Sequence, residues 1–399
     1  MAKTTGALFS LTASGMIGPR LTYSKRKSGG VCRIQKAQVS TATAAQEIVR
    51  EDYKTNLILW QNLSTSEKET ANQNTANNLS GFCNFVKAQK DVGFGKGKIT
   101  SDLWSTQADP IGISCSATGK MVVVVKQNDK TFLSTDYGET WTEVKPNGTS
   151  SIDARGVTMT YNGAIIIVSE INKRIWKSTD YGTSWNELRP AGDVNKTWYN
   201  VKQSYDGKYI VCGRDGNSFY YSNNYGATWT EITPTGVTGG QFWKVNISKD
   251  GKVIFAPNYT KRCYVSQDEG ITWREVKPFG DTDITYAQVG MSESGKILAV
   301  SVKTEKVSIS VDYGVTWSEK TVSSEAAREI RAPFVSRTGE IIYAPAKNEG
   351  VYVSKDYGTT WTVDPQLNVI DTDQKEVACS IDGKKVFSGG YRKYLNIKT

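Results

Sequence analysis

Five side chains that could bind a ligand recur in this sequence at multiples of 44 residues. They are Arg155, Tyr199, Trp243, Arg331 and Lys375. Aromatic rings stack on the C–H faces of sugars, and cationic side chains bind carboxylate or phosphate, with arginine able to form paired hydrogen bonds. This set of residue types therefore predicts a surface for a sugar or an anion. The alternative is that the rings pack the protein interior and the cations are merely solvated.

Catalysis by this chain would depend on a restricted set of groups, because the sequence contains no histidine. That composition excludes Ser-His-Asp and Cys-His nucleophilic sites and histidine-based zinc sites. The six cysteines lack the close pairing of a zinc motif, so we expect free thiols, no metal and no cofactor. Four carboxylates share the repeat position two residues before the one that holds these side chains, where they could serve glycoside hydrolysis or cap loops: Asp109, Asp153, Glu329 and Asp373.

A repeat in the chain sets the spacing of these residues. The motif Ser-x-Asp-x-Gly-x-Thr-Trp, called the box below, occurs six times with mild deviations: Ser134–Trp141, Ser178–Trp185, Ser222–Trp229, Ser266–Trp273, Ser310–Trp317 and Ser354–Trp361. A turn glycine precedes each box by 15 residues, and it occurs a seventh time at Gly383. In the second unit, strands fit residues 156–160, 164–169, 174–178 and 185–188. Four strands in such a unit are typical of a propeller blade.

We therefore predict an all-β, seven-bladed β-propeller over residues 92–399, built from four-stranded blades of 44 residues. The seventh unit has room for three strands, and residues 98–104 are expected to supply its fourth, which would close the ring and cover a sheet edge. The box suits a turn, because aspartate can accept backbone N–H bonds and glycine permits positive φ. We assign this structural role to Asp136, Asp180, Asn224, Asp268, Asp312 and Asp356.

The boxes resemble the Asp-box, or BNR, repeat of sialidase-like propellers. The resemblance implies the fold over about residues 92–399, whereas the family's functions range from glycosidases to sortilin-type receptors and a photosystem assembly factor. It also implies that the boxes lie opposite the active site. A sialidase would need three clustered arginines, a Tyr nucleophile activated by Glu, and an Asp acid/base. Here the expected face offers Arg155 and Arg331, with Arg214 in a nearby loop, and the Arg-Ile-Pro motif of sialidases is absent.

Residues 1–91 are predicted to form a separate basic α+β domain for anchoring or docking. Residues 1–46 hold seven Lys and Arg and no acidic residue. Residues 19–36 fit a hairpin with its turn at Ser28-Gly29-Gly30, and helical patterns follow at 41–63, 67–79 and 81–90. The order of these segments is similar to that of a small module in phage-encoded proteins. Contact of the basic arm with nucleic acid stays open beside a plain docking or oligomerisation role.

The resulting hypothesis is a non-enzymatic phage virion protein, a tail, collar or head appendage assembled in the host cytoplasm. Residues 1–91 would bind other virion proteins, with several copies in a particle, and the propeller would present a binding face for host attachment. Host-surface glycan is one ligand that such a carbohydrate-binding face would suit. Two alternatives stay open: a sialidase-like glycoside hydrolase and a protein-binding assembly factor. We expect no membrane span, because no apolar stretch approaches the required length of about 18 residues.

Overall fold

The computed structural model describes strands at residues 15–16, 21–26 and 29–34 and most of the chain from 110 to 398. Inside that second range it leaves out residues 127, 150–151, 238, 260–261, 281–287, 303, 324–328, 348, 368–373, 381–384 and 391–394. The chain divides into two compact units, Met1–Phe94 and Gly95–Thr399.

The described part of the first unit is a three-stranded antiparallel sheet. Its strands are β1 (Gly15–Met16), β2 (Leu21–Arg26) and β3 (Gly29–Ile34), in that order. The hairpin predicted within residues 19–36 is therefore present. Its turn was predicted too late, because Arg26 pairs with Gly29 and both Gly29 and Gly30 are strand residues. The helices predicted at 41–63, 67–79 and 81–90 lie outside the described residues.

The second unit is a β-propeller whose first six blades are four-stranded antiparallel meanders. The first three blades comprise β4 (Pro110–Cys115), β5 (Val122–Lys126), β6 (Thr131–Ser134), β7 (Thr142–Val144), β8 (Ala154–Met159), β9 (Ile166–Glu170), β10 (Ile175–Ser178), β11 (Asn186–Leu188), β12 (Trp198–Gln203), β13 (Ile210–Arg214), β14 (Phe219–Ser222) and β15 (Thr230–Ile232). The next three comprise β16 (Asn246–Ile247), β17 (Ile254–Pro257), β18 (Cys263–Ser266), β19 (Arg274–Val276), β20 (Gln288–Met291), β21 (Leu298–Ser301), β22 (Lys306–Ser310), β23 (Ser318–Thr321), β24 (Phe334–Val335), β25 (Ile342–Ala346), β26 (Gly350–Ser354) and β27 (Thr362–Val363).

The prediction of seven four-stranded blades is wrong, because the structure describes six. The last unit forms a three-stranded sheet of β28 (Gln374–Cys379), β29 (Val386–Gly390) and β30 (Leu395–Lys398). No box follows the turn glycine Gly383, and this sheet has three strands among the described residues. Residues 98–104, expected to supply that strand, lie outside the described residues. Strand β28 packs against both β25 and β4, which places this sheet between the sixth and first blades.

The hydrophobic core lies between blades. One cluster joins Val123 of the first blade to Met159 and Ile166 of the second. Each box tryptophan packs, half-buried, against such a cluster, as Trp273 does beside Phe219 of the preceding blade, with ring centroids 5.7 Å apart. Because a buried aromatic side chain removes a large apolar area from water, the box tryptophans stabilise the contact between neighbouring blades.

Hydrogen bonds within each box hold the turn between the third and fourth strands. In the first box Ser134 Oγ donates to Asp136 Oδ1 at 2.8 Å, and the same oxygen accepts the Thr140 N–H at 2.8 Å. The Trp141 indole N–H donates to the Gly138 carbonyl at 3.1 Å. The residue after the aspartate has positive φ, 64° at Tyr137, which a residue with a Cβ adopts at a cost of about 1–2 kcal/mol. The hydrogen bonds offset that strain.

A second repeated contact closes the turn between the first and second strands, and it was not predicted. The hydroxyl three residues before each turn glycine accepts the backbone N–H five residues further on, at 2.8–3.0 Å. The sequence signal is Ser/Thr-x-x-Gly. It occurs in all seven units, the last included: Ser116, Thr160, Ser204, Ser248, Ser292, Ser336 and Ser380.

Backbone hydrogen bonds join successive blades one repeat apart. The Ala117 N–H donates to the Tyr161 carbonyl at 2.9 Å, and the Tyr161 N–H donates to the Tyr205 carbonyl at 3.2 Å. The same contact continues through Lys249 and Glu293, whose N–H donates to the Arg337 carbonyl at 3.2 Å. These bonds link the first six blades in chain order.

Two substitutions of the first box aspartate should distinguish the stability that its hydrogen bonds contribute from the stability that its charge contributes. Asp136→Ala removes the acceptors of Ser134 and Thr140 and should lower the free energy of unfolding by roughly 1–3 kcal/mol. Asp136→Asn should cost much less, because Asn224 occupies this position naturally, accepting the Thr228 N–H at 2.9 Å and donating to its hydroxyl at 2.7 Å. Urea unfolding of both variants measures the difference. Equal losses would contradict the hydrogen-bond account.

The boxes should also make the fold acid-sensitive. Hydrogen bonds from Ser184 and from Thr360 lower the pKa of Asp180 and of Asp356 to about 2. Since a lowered pKa favours the folded state above the usual value of 3.8, this contribution is lost as pH falls from about 3.8 to about 2. Thermal unfolding midpoints should drop across that window, and drop less in the double variant Asp180→Asn/Asp356→Asn. A midpoint constant over the window in the native chain would refute this.

Candidate functional site

The first strand of each blade lies around the propeller axis, since β4, β8 and β12 contact one another in sequence and β28 contacts β4. The side on which these innermost strands begin is called the strand-start face below. Because the strands of a blade are antiparallel, the third strand ends on the side opposite to the strand-start face. The boxes follow the third strands and therefore lie on that opposite side. We call that end the box face.

Three half-buried aromatic rings lie on the strand-start face, and we call them the aromatic shelf: Tyr199, Trp243 and Tyr259. The rings of Tyr199 and Trp243 stack with centroids 4.5 Å apart and an interplanar angle of 23°. Tyr259 approaches Trp243 to a centroid distance of 3.8 Å at 36°. The buried Trp243 indole N–H has no hydrogen-bond acceptor among the described residues. Burial, together with the charge of Asp215, raises the pKa of Tyr199.

The two arginines predicted for this face each lie beside a carboxylate of their own blade. Arg331 Nη2 is 3.2 Å from Glu329 Oε2, whereas Arg155 Nε is 4.0 Å from Asp153 Oδ1, outside hydrogen-bond distance. Burial raises the pKa of Asp153, and the Arg155 charge opposes that rise. Asp153 and Glu329, which were candidates for glycoside hydrolysis or loop capping, thus lie next to arginines. Asp109 and Asp373 are outside the described residues.

Arg214 belongs to a hydrogen-bonded cluster within the third blade. Its guanidinium donates to Glu231 Oε1 at 2.7 Å, to Ser218 Oγ at 2.5 Å and to the Asp215 carbonyl at 2.6 Å. These contacts connect the end of β13 to β15 and to Ser218, the residue directly before β14. This geometry gives Arg214 a structural role in the third blade, and its role in ligand binding stays a prediction. Lys375 lies in β28, and its side chain is outside the described residues.

A cavity of about 210 Å³ runs along the axis and is lined by innermost strands from all seven units. Of the six ligand-binding side chains predicted from sequence, Arg155 lines the described part of this cavity. The other charged residues that line it were missed: Lys202, Lys244, Lys249, Glu293, Arg337 and Glu376. Lys244 and Glu376 could have been found from the sequence, because each directly follows a residue predicted to bind ligand, Trp243 and Lys375 respectively.

One carboxylate spans the channel. Glu376 of the last unit lies 3.2 Å from the Lys244 ammonium of the fourth blade, and its second oxygen accepts the Ile113 N–H of the first blade at 3.4 Å. Burial lowers the pKa of Lys202, an effect that Glu376 opposes and Lys244 reinforces. Burial and repulsion from Lys202 lower the pKa of Lys249 to about 8. The channel is therefore a site of concentrated positive charge.

Cysteines, metals and membranes add no further site in the described part of the chain. Four cysteines there are free thiols: Cys115, Cys212, Cys263 and Cys379. Burial raises the pKa of Cys115 to about 12, which keeps its thiol protonated and unreactive. No cluster of potential metal ligands occurs among the described residues, and none of them forms a helix that could cross a membrane.

Together, the blades and the axial channel define a β-propeller, and solved structures bear this out. No protein-family model and no curated protein matches the chain. The fold is similar to "YCF48 bound to D1 peptide", with a TM-score of 0.60 and 15% identity over 77% of this chain and 98% of that one. It is also similar to YCF48 from Cyanidioschyzon merolae, with a TM-score of 0.58 and 14% identity over 74% and 96% of the two chains. At these identities the likeness concerns the fold alone.

The structural role of Arg214 can be measured. Arg214→Ala removes the charged donor of the buried Ser218 hydroxyl and the exposed Glu231 carboxylate, and it should lower the free energy of unfolding by roughly 1–3 kcal/mol. Glu231→Gln should cost less, and a double-mutant cycle with Glu231→Ala should show coupling, since the two side chains bond directly. Chemical unfolding gives all four values. Additive losses would show that the pair is not coupled.

Proposed function

We propose that this chain is a non-enzymatic binding protein whose strand-start face binds an extended peptide segment of a protein partner. The aromatic shelf beside Arg155 is the observation that carries the proposal. Tyrosine, tryptophan and arginine are enriched among the residues that dominate the binding energy of protein interfaces, which cluster in well-packed, desolvated pockets. Here all of these residue types meet at one end of a rigid β-sheet scaffold.

The packing of the shelf favours a peptide over a sugar. A sugar platform presents a free ring face, whereas the Trp243 ring is already in contact with both Tyr199 and Tyr259. Its indole N–H lacks an acceptor among the described residues, and a buried donor without a partner costs free energy. A peptide backbone offers a carbonyl acceptor at every residue. A small movement of the shelf would let one of these satisfy the indole.

Arg155 supplies a charge preference. Its Nε has no hydrogen-bond partner among the described residues, and its distance of 4.0 Å from Asp153 leaves the guanidinium able to bind another acceptor. A carboxylate accepts two parallel bonds from an arginine. We therefore expect a bound segment to carry Asp, Glu or a terminal carboxylate near Arg155.

The comparison supports this class of ligand. A solved structure of similar fold is described as bound to a peptide. At 15% identity the likeness transfers no site, so the location rests on the shelf and Arg155 of this chain. The virion role predicted from residues 1–91 stays a prediction, and so does the glycan ligand. The glycosidase alternative would need two carboxylates free to act at one bond, and Asp153 and Glu329 lie next to arginines.

A peptide selection tests the proposal. The full chain is used to select binders from a library of displayed 12-residue peptides, and the best fluorescein-labelled peptide is titrated by fluorescence polarisation. Trp243→Ala and Tyr199→Ala should each weaken binding at least tenfold, as interface hot spots do. Ile271→Ala is the matched control, because Ile271 is a large apolar residue 81% exposed in a box turn. It should bind like the native chain.

A glycan array run in parallel separates the competing ligands. Selected peptides whose binding is insensitive to Trp243→Ala would overturn the location. No selectable peptide, together with glycan binding that Trp243→Ala abolishes, would overturn the ligand class and favour the carbohydrate-binding prediction. Circular dichroism of each variant identifies any loss caused by unfolding.

A further inference from the structure

We propose that the axial channel is a second binding site, for a small, multiply charged oxyanion of the phosphate class, held by Lys202 and Lys249. Arg155 borders both this channel and the peptide surface proposed above, but Lys202 and Lys249 lie outside that surface and the channel site does not depend on it. It lies inside the ring, and its ligand is an ion rather than a chain.

The first support is the balance of charge along the channel. Five cationic side chains and two carboxylates line the described part of the cavity, an excess of three positive charges: Arg155, Lys202, Lys244, Lys249 and Arg337 against Glu293 and Glu376. Taking charges out of water is costly unless opposite charges compensate them. A mobile anion is the simplest compensation in a cavity open to small solutes.

The second support is the lack of strong partners for two of these ammonium groups. Lys202 makes no side-chain hydrogen bond with the described residues, and its charge interacts with Glu376, Lys244 and Lys249. Lys249 Nζ donates to the Gln203 carbonyl at a long 3.5 Å and lies 5.7 Å from the centre of the Tyr161 ring. Each ammonium carries three N–H donors, so most of their hydrogen-bonding capacity is unused. The oxygens of one phosphate can accept from both.

Several neutral polar side chains of the channel are already committed to hydrogen bonds within the protein. Asn200 donates to the Val245 carbonyl at 2.8 Å and accepts the Val245 N–H at 3.2 Å. Asn246 donates to the Val289 carbonyl at 3.3 Å, and the serine and threonine hydroxyls near the end of the innermost strands close their own turns. The Tyr161 hydroxyl and Gln203 Oε1 lack a partner among the described residues, and the hydroxyl can donate to an anion. The excess of positive charge in the lining favours an anion over a neutral molecule.

Size favours an ion over a peptide in this channel. The cavity of about 210 Å³ far exceeds the roughly 10–15 Å³ that a single water requires, so a hydrated phosphate fits. Glu376 reaches Lys244 at 3.2 Å across the channel, which obstructs passage of a continuous chain. Glu376 also competes with an anion for the same lysines. Its charge should therefore weaken anion binding.

Calorimetric titration of the full chain with inorganic phosphate, in a low-salt chloride buffer at neutral pH, tests the site. We expect saturable binding with one ion per chain. Lys202→Met and Lys249→Met should each weaken it at least tenfold. Lys252→Met is the matched control, because Lys252 is an exposed lysine outside the cavity lining in the same blade as Lys249, and it should leave the affinity unchanged. Glu376→Gln, which keeps an oxygen for the Ile113 N–H, should bind phosphate more tightly.

The outcomes separate this site from the peptide surface. Trp243→Ala should leave phosphate binding intact while it weakens peptide binding. Unsaturable heats, or equal affinities in the Lys202→Met and Lys252→Met variants, would overturn the channel site. If the circular dichroism spectrum shows that Lys202→Met is misfolded, the phosphate affinities of Lys249→Met and Glu376→Gln decide whether the site exists. Loss of peptide binding in folded Lys249→Met without any phosphate binding would also overturn it and would place the peptide in the channel.

Discussion

The line of backbone hydrogen bonds that joins each blade to the next is the constraint on which the rest of this propeller depends. It runs from Ala117 to Tyr161 and onward to Arg337, and every step spans one repeat. Peptide groups make these bonds, so the side chains at the linked positions are free to differ. An insertion before such a position would shift the register of the bond, which accounts for a repeat that keeps its length from the first box to the sixth.

The same constraint explains where ligand-binding chemistry can occur. With blade length fixed, no long loop is available to build a deep pocket, and variation is confined to side chains at set positions of each unit. Neighbouring positions have different surroundings because successive residues of an extended strand point to opposite sides. Trp243 joins the aromatic shelf, whereas Lys244, one residue later, lines the channel. Neighbouring residues at the beginning of one innermost strand thus contribute to both the aromatic shelf and the cationic channel.

Local chemistry made much of the fold predictable. The strands of the second blade lie within about two residues of their predicted bounds, because box and turn glycine act over a few residues. Contacts between residues far apart in the chain were harder to predict. The Lys244–Glu376 contact joins residues 132 apart, and no short pattern encodes it. Arg214 shows the same limit, since Glu231 and Ser218 had to be placed by the third blade before its role was visible. The predicted blade count was wrong because the seventh turn glycine is not followed by a box, and its sheet has three described strands.

Uniform junctions have an evolutionary consequence. Because the boundaries between the first six blades use the same backbone contacts, a recombination event that exchanged one inner unit of these six for another would keep the junctions on both sides. The exchanged unit would bring a new innermost strand, and with it a different set of residues on the axis. Ligand preference in such a ring could then change by shuffling whole units, without any intermediate that must first repair its fold.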